Sequence, residues 1–203
     1  MVDVDGVVVR HPAGRRWDHA MEADLGLDPD LLQQRFFAAH FRDIITGRAD
    51  LHDRLAPVLA EIAPHLTSQA LADYWFAQDA HLDLALLDDL ARLRASGARL
   101  HLATVQEHHR ARYLWETLGL KDRFDAIHYA ADYGVGKPDP AFFRAVEQRT
   151  GLPASDLLLI DDSARNVESA RACGWSAVLW DGTQTLSEVL GGQRHPNPSS
   201  YFE

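Results

Sequence analysis

The chain has 203 residues and a formal net charge of −10, from 30 acidic and 20 basic side chains. This balance argues against a nucleic-acid or anionic-membrane surface, because both need a concentrated basic patch. A single cysteine, Cys173, excludes an intramolecular disulfide. We find no signal peptide and no apolar run long enough to cross a membrane, so we expect a cytoplasmic protein.

The chain begins with an apolar run, Met1 to Val9, that carries two carboxylates, Asp3 and Asp5, before Gly6. Its valines favour a strand over a helix. Carboxylates in a buried strand are costly unless they are paired, whereas at the carboxyl end of the strand they can bind a divalent cation. The run alone also fits a strand that ends in two solvated acids.

Residues 15–95 predict almost continuous helix in several pieces. Asp28 followed by Pro29 is typical of a helix start, with Asp28 as the N-cap. Thr67 is a plausible cap for a later helix, and residues 82–93 form another amphipathic stretch. We therefore expect a helical insertion over residues 15–95.

From Arg99 the pattern changes to strands alternating with helices. Strands are predicted at residues 100–103, 124–129, 157–160 and 177–180, with helices between them. Such alternation predicts an α/β fold: a doubly wound, Rossmann-like parallel sheet with helices on both faces. The core is assigned to residues 1–14 and 96–203, and the polar end, Gly192 to Glu203, is expected to be disordered.

Polar side chains stand at the predicted carboxyl ends of the strands, where sites form in such sheets. They are Thr104, the pair Asp161 and Asp162, and Lys137 in a loop before a helix. Together with the first two aspartates, this set suits phosphoryl transfer. A lysine, a hydroxyl and Mg²⁺ would bind the phosphoryl oxygens, while one carboxylate attacks and a second moves the proton.

Four segments carry a resemblance to the haloacid dehalogenase-like (HAD) hydrolase superfamily, of the type with a helical cap inserted after the first strand. The motifs occur in family order and cover nearly the whole chain. They are Asp3-Val4-Asp5-Gly6-Val7, the strand ending in Thr104, Lys137-Pro138-Asp139-Pro140, and Ile160-Asp161-Asp162-Ser163.

The resemblance implies a role for each matching residue. Asp3 would be the nucleophile and a Mg²⁺ ligand, and Asp5 the general acid/base whose backbone carbonyl also touches the metal. Thr104 and Lys137 would bind the transferring phosphoryl group. Asp162 would be a direct metal ligand, Asp161 would hold a metal-bound water or support the site, and Asn166 would be a supporting polar residue.

The sequence departs from the family pattern at three points, one of which, the acid pair Asp161-Asp162, is one variant among several and does not name a substrate. Only Met1 and Val2 precede Asp3, so either the natural start lies upstream or the first strand is unusually short. Val105 stands where the family often has asparagine. Asp5, in contrast, favours phosphate esters over carbon–halogen bonds, because a halide leaves without being protonated.

Several polar residues have structural explanations. A helix N-cap explains Thr104 nearly as well as a catalytic role does, but the order of the motifs favours the catalytic role; Asp139 is better explained as a cap. His108-His109 and Asp88-Asp89 are expected at the surface, and Arg165 as a structural partner of the acid pair. Candidates for substrate contact in the cap are Trp17, His19, Phe36, Phe37, His40, Phe41, Arg42 and Arg48.

The sequence therefore predicts a Mg²⁺-dependent phosphatase. It would hydrolyse a small phosphorylated metabolite through an aspartyl-phosphate intermediate, as a monomer or a homodimer. A phosphosugar mutase of the same superfamily is the alternative within catalysis. A non-catalytic HAD-like binding module is the alternative outside it, although such a module is expected to lose one of the first two aspartates.

Overall fold

Four short parallel strands and a bridging residue build the central sheet of the computed structural model, which describes residues 1–11 and 15–191. Strands β1 (His101–Thr104) and β2 (Ala126–Tyr129) pair in parallel, as do β3 (Leu158–Asp161) and β4 (Ser176–Leu179). Val2 joins the two pairs, since it bridges to Leu102 on one side and to Ile160 on the other. The order across the sheet is therefore β2, β1, Val2, β3, β4.

The predicted first strand is much shorter than the apolar run that suggested it. Asp3 donates its backbone N–H to the Ile160 carbonyl at 2.9 Å, and the chain then leaves the sheet. The Val9 N–H turns back to the Val4 carbonyl at 2.8 Å. Asp5 thus lies in a turn beyond the strand end, because burial of the valines, rather than strand pairing, fixes this segment.

The helices follow the predicted alternation closely. In chain order they are α1 (Met21–Leu25), α2 (Pro29–Leu32), α3 (Ala38–Ile45), α4 (Leu51–Ile62), α5 (Ser68–Gln78), α6 (Leu84–Ala95), α7 (His108–Arg112), α8 (Ala130–Tyr133), α9 (Pro140–Thr150), α10 (Ala164–Ala172) and α11 (Leu186–Gly191). π-Helical turns at Gln33–Phe37 and Tyr113–Thr117 continue α2 into α3 and extend α7. Short 3₁₀ turns occupy Leu120–Asp122 and Ala154–Asp156.

Helices cover both faces of the sheet, as the doubly wound prediction requires. One hydrophobic cluster joins the sheet to α6 and α11 through Leu86, Leu90 and Val189. A second cluster, on the other face, joins it to α9 and α10 through Phe142 and Val167. The predicted fold class is confirmed, and the carboxyl ends of β1 and β3 stay uncovered by these helices.

The helices from α1 to α5 form the inserted cap around a third hydrophobic cluster. Its buried members include Met21, Phe36, Leu55 and Phe76. Helix α6, which the prediction placed in the cap, packs on the sheet instead. We therefore propose that the insertion ends near residue 80 rather than 95, since an amphipathic helix belongs with the core that buries its apolar face.

The predicted helix starts agree with the observed caps. The Asp28 side chain accepts from the Asp30 N–H at 2.8 Å, Thr67 from Ala70 at 3.1 Å, and Asp139 from Ala141 at 2.8 Å. Among the residues that the structure describes, no helix is both long and apolar enough to span a bilayer. The terminal stretch Gly192 to Glu203, expected to be disordered, lies outside the described residues.

Candidate active site

Asp3 lies at the centre of the sheet edge, and its carboxylate is fixed on both oxygens. The Val4 N–H donates to Asp3 Oδ1 at 2.7 Å. The Lys137 Nζ lies 3.0 Å from Asp3 Oδ2, and the Lys137 side chain is fully buried. An ammonium placed there neutralises Asp3 and leaves its carboxylate in one orientation.

The acid pair after β3 divides into two environments. Asp161 is completely buried and bonds to Lys137 Nζ through one oxygen. Its other oxygen accepts from the Ser163 N–H and from Asn166 Nδ2, both at 2.9 Å. Asp162 is exposed instead, and no hydrogen bond reaches its carboxylate from another described side chain.

Gly6 permits a close approach between the first turn and Asp162. Its φ is 76°, in the left-handed region, and a Cβ there would lie 2.1 Å from Asp162 Oδ2. Only glycine leaves room for the carboxylate against this backbone.

Three carboxylates converge where a cation would be expected. Asp3, Asp161 and Asp162 each offer an oxygen within 4.8 Å of the others. Hard carboxylate oxygens in such a group, with part of the surround open to water, fit the coordination that Mg²⁺ prefers. The donor set therefore suits Mg²⁺, with Asp162 more available as a ligand than Asp161.

The pKa of Asp3 is raised above its ordinary value. Burial is the main cause, and the neighbouring carboxylates of Asp161 and Asp5 add to it, whereas the Lys137 ammonium opposes the rise. The pKa of Asp162 is also raised, first by partial desolvation of its carboxyl group, although the residue as a whole is exposed, and then by the charge of Asp161. The like charges repel one another, which a bound cation would relieve.

Gln106 connects Asp5 with Thr104. Gln106 Nε2 donates to Asp5 Oδ2 at 2.6 Å and lies 3.4 Å from the Thr104 hydroxyl. Desolvation raises the pKa of Asp5, as does the charge of Asp79, whereas the Arg110 charge and the hydrogen bond from Gln106 oppose this rise. A raised pKa suits a carboxyl group that must give up a proton.

Thr104 does not cap the following helix, which was the structural alternative for it. The N-cap of α7 is Glu107, whose carboxylate accepts from the His109 N–H at 2.9 Å and from the Arg110 N–H. Thr104 ends β1 and is completely buried. Its hydroxyl lies beside Gln106, which leaves it on the edge of the sheet where the aspartates gather.

The sequence model of the haloacid dehalogenase-like hydrolases matches residues 2–174 of the chain. The chain belongs to this family. The family prediction is thereby confirmed, and strands β1 to β3, the cap helices and the acidic centre fall within the matched residues.

Relatives of this HAD-like hydrolase include named phosphatases. A phosphoglycolate phosphatase from Rhodospirillum rubrum is 35% identical over 162 residues, covering 79% of this chain and 63% of that protein. A GMP/IMP nucleotidase from Escherichia coli is 30% identical over 115 residues, covering 55% of this chain and 51% of that protein. The chain thus spans less than two thirds of the length of these curated relatives.

Solved structures show the same fold. A HAD family enzyme from Bacteroides thetaiotaomicron superposes with a TM-score of 0.78 at 16% identity, covering 93% of this chain and 96% of that one. A variant of that enzyme, solved in complex with magnesium and inorganic phosphate, gives a TM-score of 0.77. At this identity the comparison establishes the fold alone.

Sequence reasoning missed the polar side chains that surround Asp5 in the HAD-like core. Gln106 contacts Asp5 directly, and the buried Arg110 ion-pairs with Asp79 at 3.4 Å, near Asp5. A polar residue just after β1 was a usable signal for Gln106. Nothing in the sequence pairs Asp79 with Arg110, because 31 positions separate them.

Of the four residues expected at the surface, Asp88 and His108 are exposed, whereas Asp89 and His109 are half-buried. His109 Nε2 lies within hydrogen-bond distance of the Asp50 carboxylate of the cap, at 2.8 Å. Asp89 pairs with Arg92 on the solvent side of α6. Among the described residues no ion pair to Arg165 is found, so the suggested pairing with the acid pair is not observed.

Some of the cap candidates pack inside the cap, and the others lie at its surface. Phe36 is buried in the cap cluster, while Trp17, Phe37 and Phe41 stack around Trp75. In the described part of the chain, no hydrogen bond or ion pair joins a cap candidate to the carboxylate centre. Trp17 lines a pocket of about 340 Å³ together with Gly6. The remaining candidates lie half-buried or exposed on the cap: His19, His40, Arg42 and Arg48.

Proposed function

We propose that the chain is a Mg²⁺-dependent phosphatase that hydrolyses a small phosphate monoester through an aspartyl-phosphate intermediate on Asp3. The observation that carries this proposal is the arrangement around Asp3. Its carboxylate is held by Lys137 at 3.0 Å and grouped with Asp161 and Asp162, and Asp5 follows two residues later. The phosphatases among the relatives support the same class of reaction.

Asp3 and Asp162 would hold the Mg²⁺, together with the backbone carbonyl of Asp5. The bound ion would neutralise charge on the phosphoryl oxygens. Asp161 has a different part, because its oxygens are engaged by Lys137 and Asn166. It keeps the Lys137 ammonium aimed at the phosphoryl position.

In the first step, an oxygen of Asp3 attacks phosphorus and the bond from phosphorus to the ester oxygen breaks. Asp5 gives its proton to the departing alkoxide, which leaves as an alcohol. Lys137 and the buried Thr104 hydroxyl bind the phosphoryl oxygens during the transfer. Gln106 keeps the Asp5 carboxyl in reach of the leaving group.

In the second step, Asp5 takes a proton from a water molecule, which attacks phosphorus. The bond between phosphorus and the Asp3 oxygen breaks, inorganic phosphate is released and Asp3 is regenerated. Asp5 is suited to both steps because it is exposed, whereas Asp3 is buried. A mutase would instead offer the intermediate to a hydroxyl of a second sugar phosphate.

The test is phosphate release from a panel of phosphorylated metabolites, with and without Mg²⁺. The wild type, Asp3→Asn and Asp88→Asn are compared. Asp88 is an exposed acid on α6, away from the carboxylate centre, so its variant makes the same chemical change outside the site. We expect release by the wild type and by Asp88→Asn only with Mg²⁺, and none by Asp3→Asn.

An acid-quenched reaction should also contain protein-bound phosphate in the wild type but not in Asp3→Asn. Phosphate release that survives Asp3→Asn would refute the assigned nucleophile. Conversion of one sugar phosphate into an isomer, without free phosphate, would identify a mutase. No turnover of any ester would leave the non-catalytic module as the better description.

A further inference from the structure

Arg110 is a buried cation with no role in the proposed reaction. Its side chain is 1% exposed. The guanidinium donates to the Phe76 carbonyl at 3.0 Å and to the Asp79 carbonyl, and lies 3.4 Å from the Asp79 carboxylate. It also lies over the rings of Phe76 and Tyr113, at 5.5 and 5.6 Å from their centroids.

These contacts join the core to the cap at a defined place. Arg110 is on α7, which starts just beyond β1, whereas Phe76 and Asp79 lie at the end of cap helix α5. A guanidinium suits the carbonyls at a helix C-terminus, where the helix dipole is negative. Its rigid fork reaches both carbonyls together, which a single ammonium does not.

Asp79 extends this link to the other cap connection. Its carboxylate lies 2.7 Å from Nε2 of His11, in the segment that leaves the core for the cap. Backbone hydrogen bonds join the outgoing and returning segments nearby, from Arg10 to the His81 carbonyl and from Asp83 to the Val8 carbonyl. Arg110 and Asp79 therefore fix the place where the chain crosses between core and cap.

The segments that connect core and cap lie beside Asp5, the proton-transferring group of the proposed reaction. The outgoing segment starts three residues after Asp5, and Val9 bridges back to Asp5. Displacement of the crossing would displace the turn that carries Asp5. Asp3, in contrast, is held by the sheet and by Lys137, which do not depend on the crossing.

We propose that Arg110, acting through Asp79, is a positioning residue that holds the Asp5 turn and the cap connections in register with Asp3. This inference rests on the proposed function for its kinetic consequence. Arg110 touches no reacting atom. It acts on the protonation of the leaving group because that step depends on the placement of Asp5.

The kinetic test compares two leaving groups. An alkyl phosphate, the one that the wild type turns over fastest in the panel, needs a proton from Asp5. p-Nitrophenyl phosphate releases a stabilised phenolate and needs none. We expect Arg110→Lys to lower kcat/KM for the alkyl ester about 100-fold, as misplacement by roughly 1 Å does, and to change it far less for the aryl ester.

Two further variants separate positioning from folding. Asp79→Asn keeps the backbone contacts of Arg110 and should lower turnover of the alkyl ester selectively, by about tenfold. Arg112→Lys, at an exposed position on the same helix, should change neither substrate. Equal losses on both esters in Arg110→Lys and Asp79→Asn would show a general structural effect and overturn the proposal.

A distance measurement does not depend on activity. Spin labels are attached to Arg54→Cys on the cap and Glu168→Cys on the core, both exposed, in a Cys173→Ser background. Arg110→Lys should broaden the distance distribution, whereas Arg112→Lys should not. An unchanged distribution would overturn the proposal, and a broadened one in a protein that hydrolyses neither ester would support the positioning while refuting the phosphatase.

Discussion

Gly6→Ala should disturb the group of carboxylates formed by Asp3, Asp161 and Asp162 more than it disturbs the rest of the fold. The added Cβ would lie 2.1 Å from Oδ2 and 2.5 Å from Cγ of Asp162, whereas real Cβ contacts essentially never fall below 3.0 Å. The Asp162 carboxylate must therefore move by about 0.9 Å or more. The φ of 76° adds backbone strain of about 1–2 kcal/mol for any residue with a Cβ.

The displacement matters more for binding than for stability. Mg²⁺ demands oxygen ligands within about 0.1 Å of its preferred distance, so a carboxylate moved this far no longer serves. Loss of an outer-shell partner costs a metal site about 10- to 100-fold in affinity, and loss of a ligand should cost at least the upper value. Gly6→Ala should therefore raise the Mg²⁺ concentration for half-maximal activity at least about 100-fold.

Gly151→Ala is the matched control for the strain. Gly151 has a φ of 69°, and a Cβ there meets nothing within 4 Å. Urea unfolding should show a similar loss of stability, about 1–2 kcal/mol, in both variants. Mg²⁺ titrations of activity and of heat should show weakened binding in Gly6→Ala alone. Wild-type Mg²⁺ affinity in Gly6→Ala would refute the placement of Asp162 as a ligand.

Three other changes test the site and its support. Lys137→Met leaves two buried carboxylates without their cation and should lower the free energy of unfolding, measured by urea titration, by about 3 kcal/mol. Lys121→Met, at an exposed position, is the control and should change this free energy little. Gln106→Leu removes the 2.6 Å hydrogen bond to Asp5 and should lower kcat about 30-fold in the phosphate-release assay; an unchanged kcat would contradict its role. Burial and then the charge of a neighbouring histidine lower the pKa of His128 from 6.5 to about 4, so the unfolded chain takes up the proton first as the pH falls. The wild type should lose about 2 kcal/mol of stability at this group between pH 7 and pH 5, and His128→Gln should lose less over the same range.

The fold could be predicted because its signals are local. The capping residues Asp28, Thr67 and Asp139 each indicate a helix start, and a proline that follows Asp28 and Asp139 strengthens two of these predictions. The alternation of apolar strands with helices then restricts the topology to a parallel sheet. The sequence offers no such signal for the position of α6. An amphipathic pattern indicates that one face of the helix is buried, but it does not indicate whether that face packs against the cap or against the sheet.

The candidate site was predictable where each strand supplies its own residue. Asp3, Thr104 and Asp161 lie at strand ends, and the sheet brings such positions together. Arg110 and Asp79 were not predictable, because their contact depends on the path of the cap connections. Their separate signals, a basic residue on one helix and an acidic residue at the end of another, occur throughout the chain.

The two consecutive aspartates after β3 show how backbone geometry divides the work of an acidic site. Successive residues at a strand end point to opposite sides, so Asp161 turns into the protein while Asp162 turns out toward Gly6. Protein donors then occupy both oxygens of Asp161, and it serves to hold Lys137 against Asp3. Asp162 keeps its oxygens free of other described side chains, and it is therefore the member of the pair that can complete a cation site with Asp3.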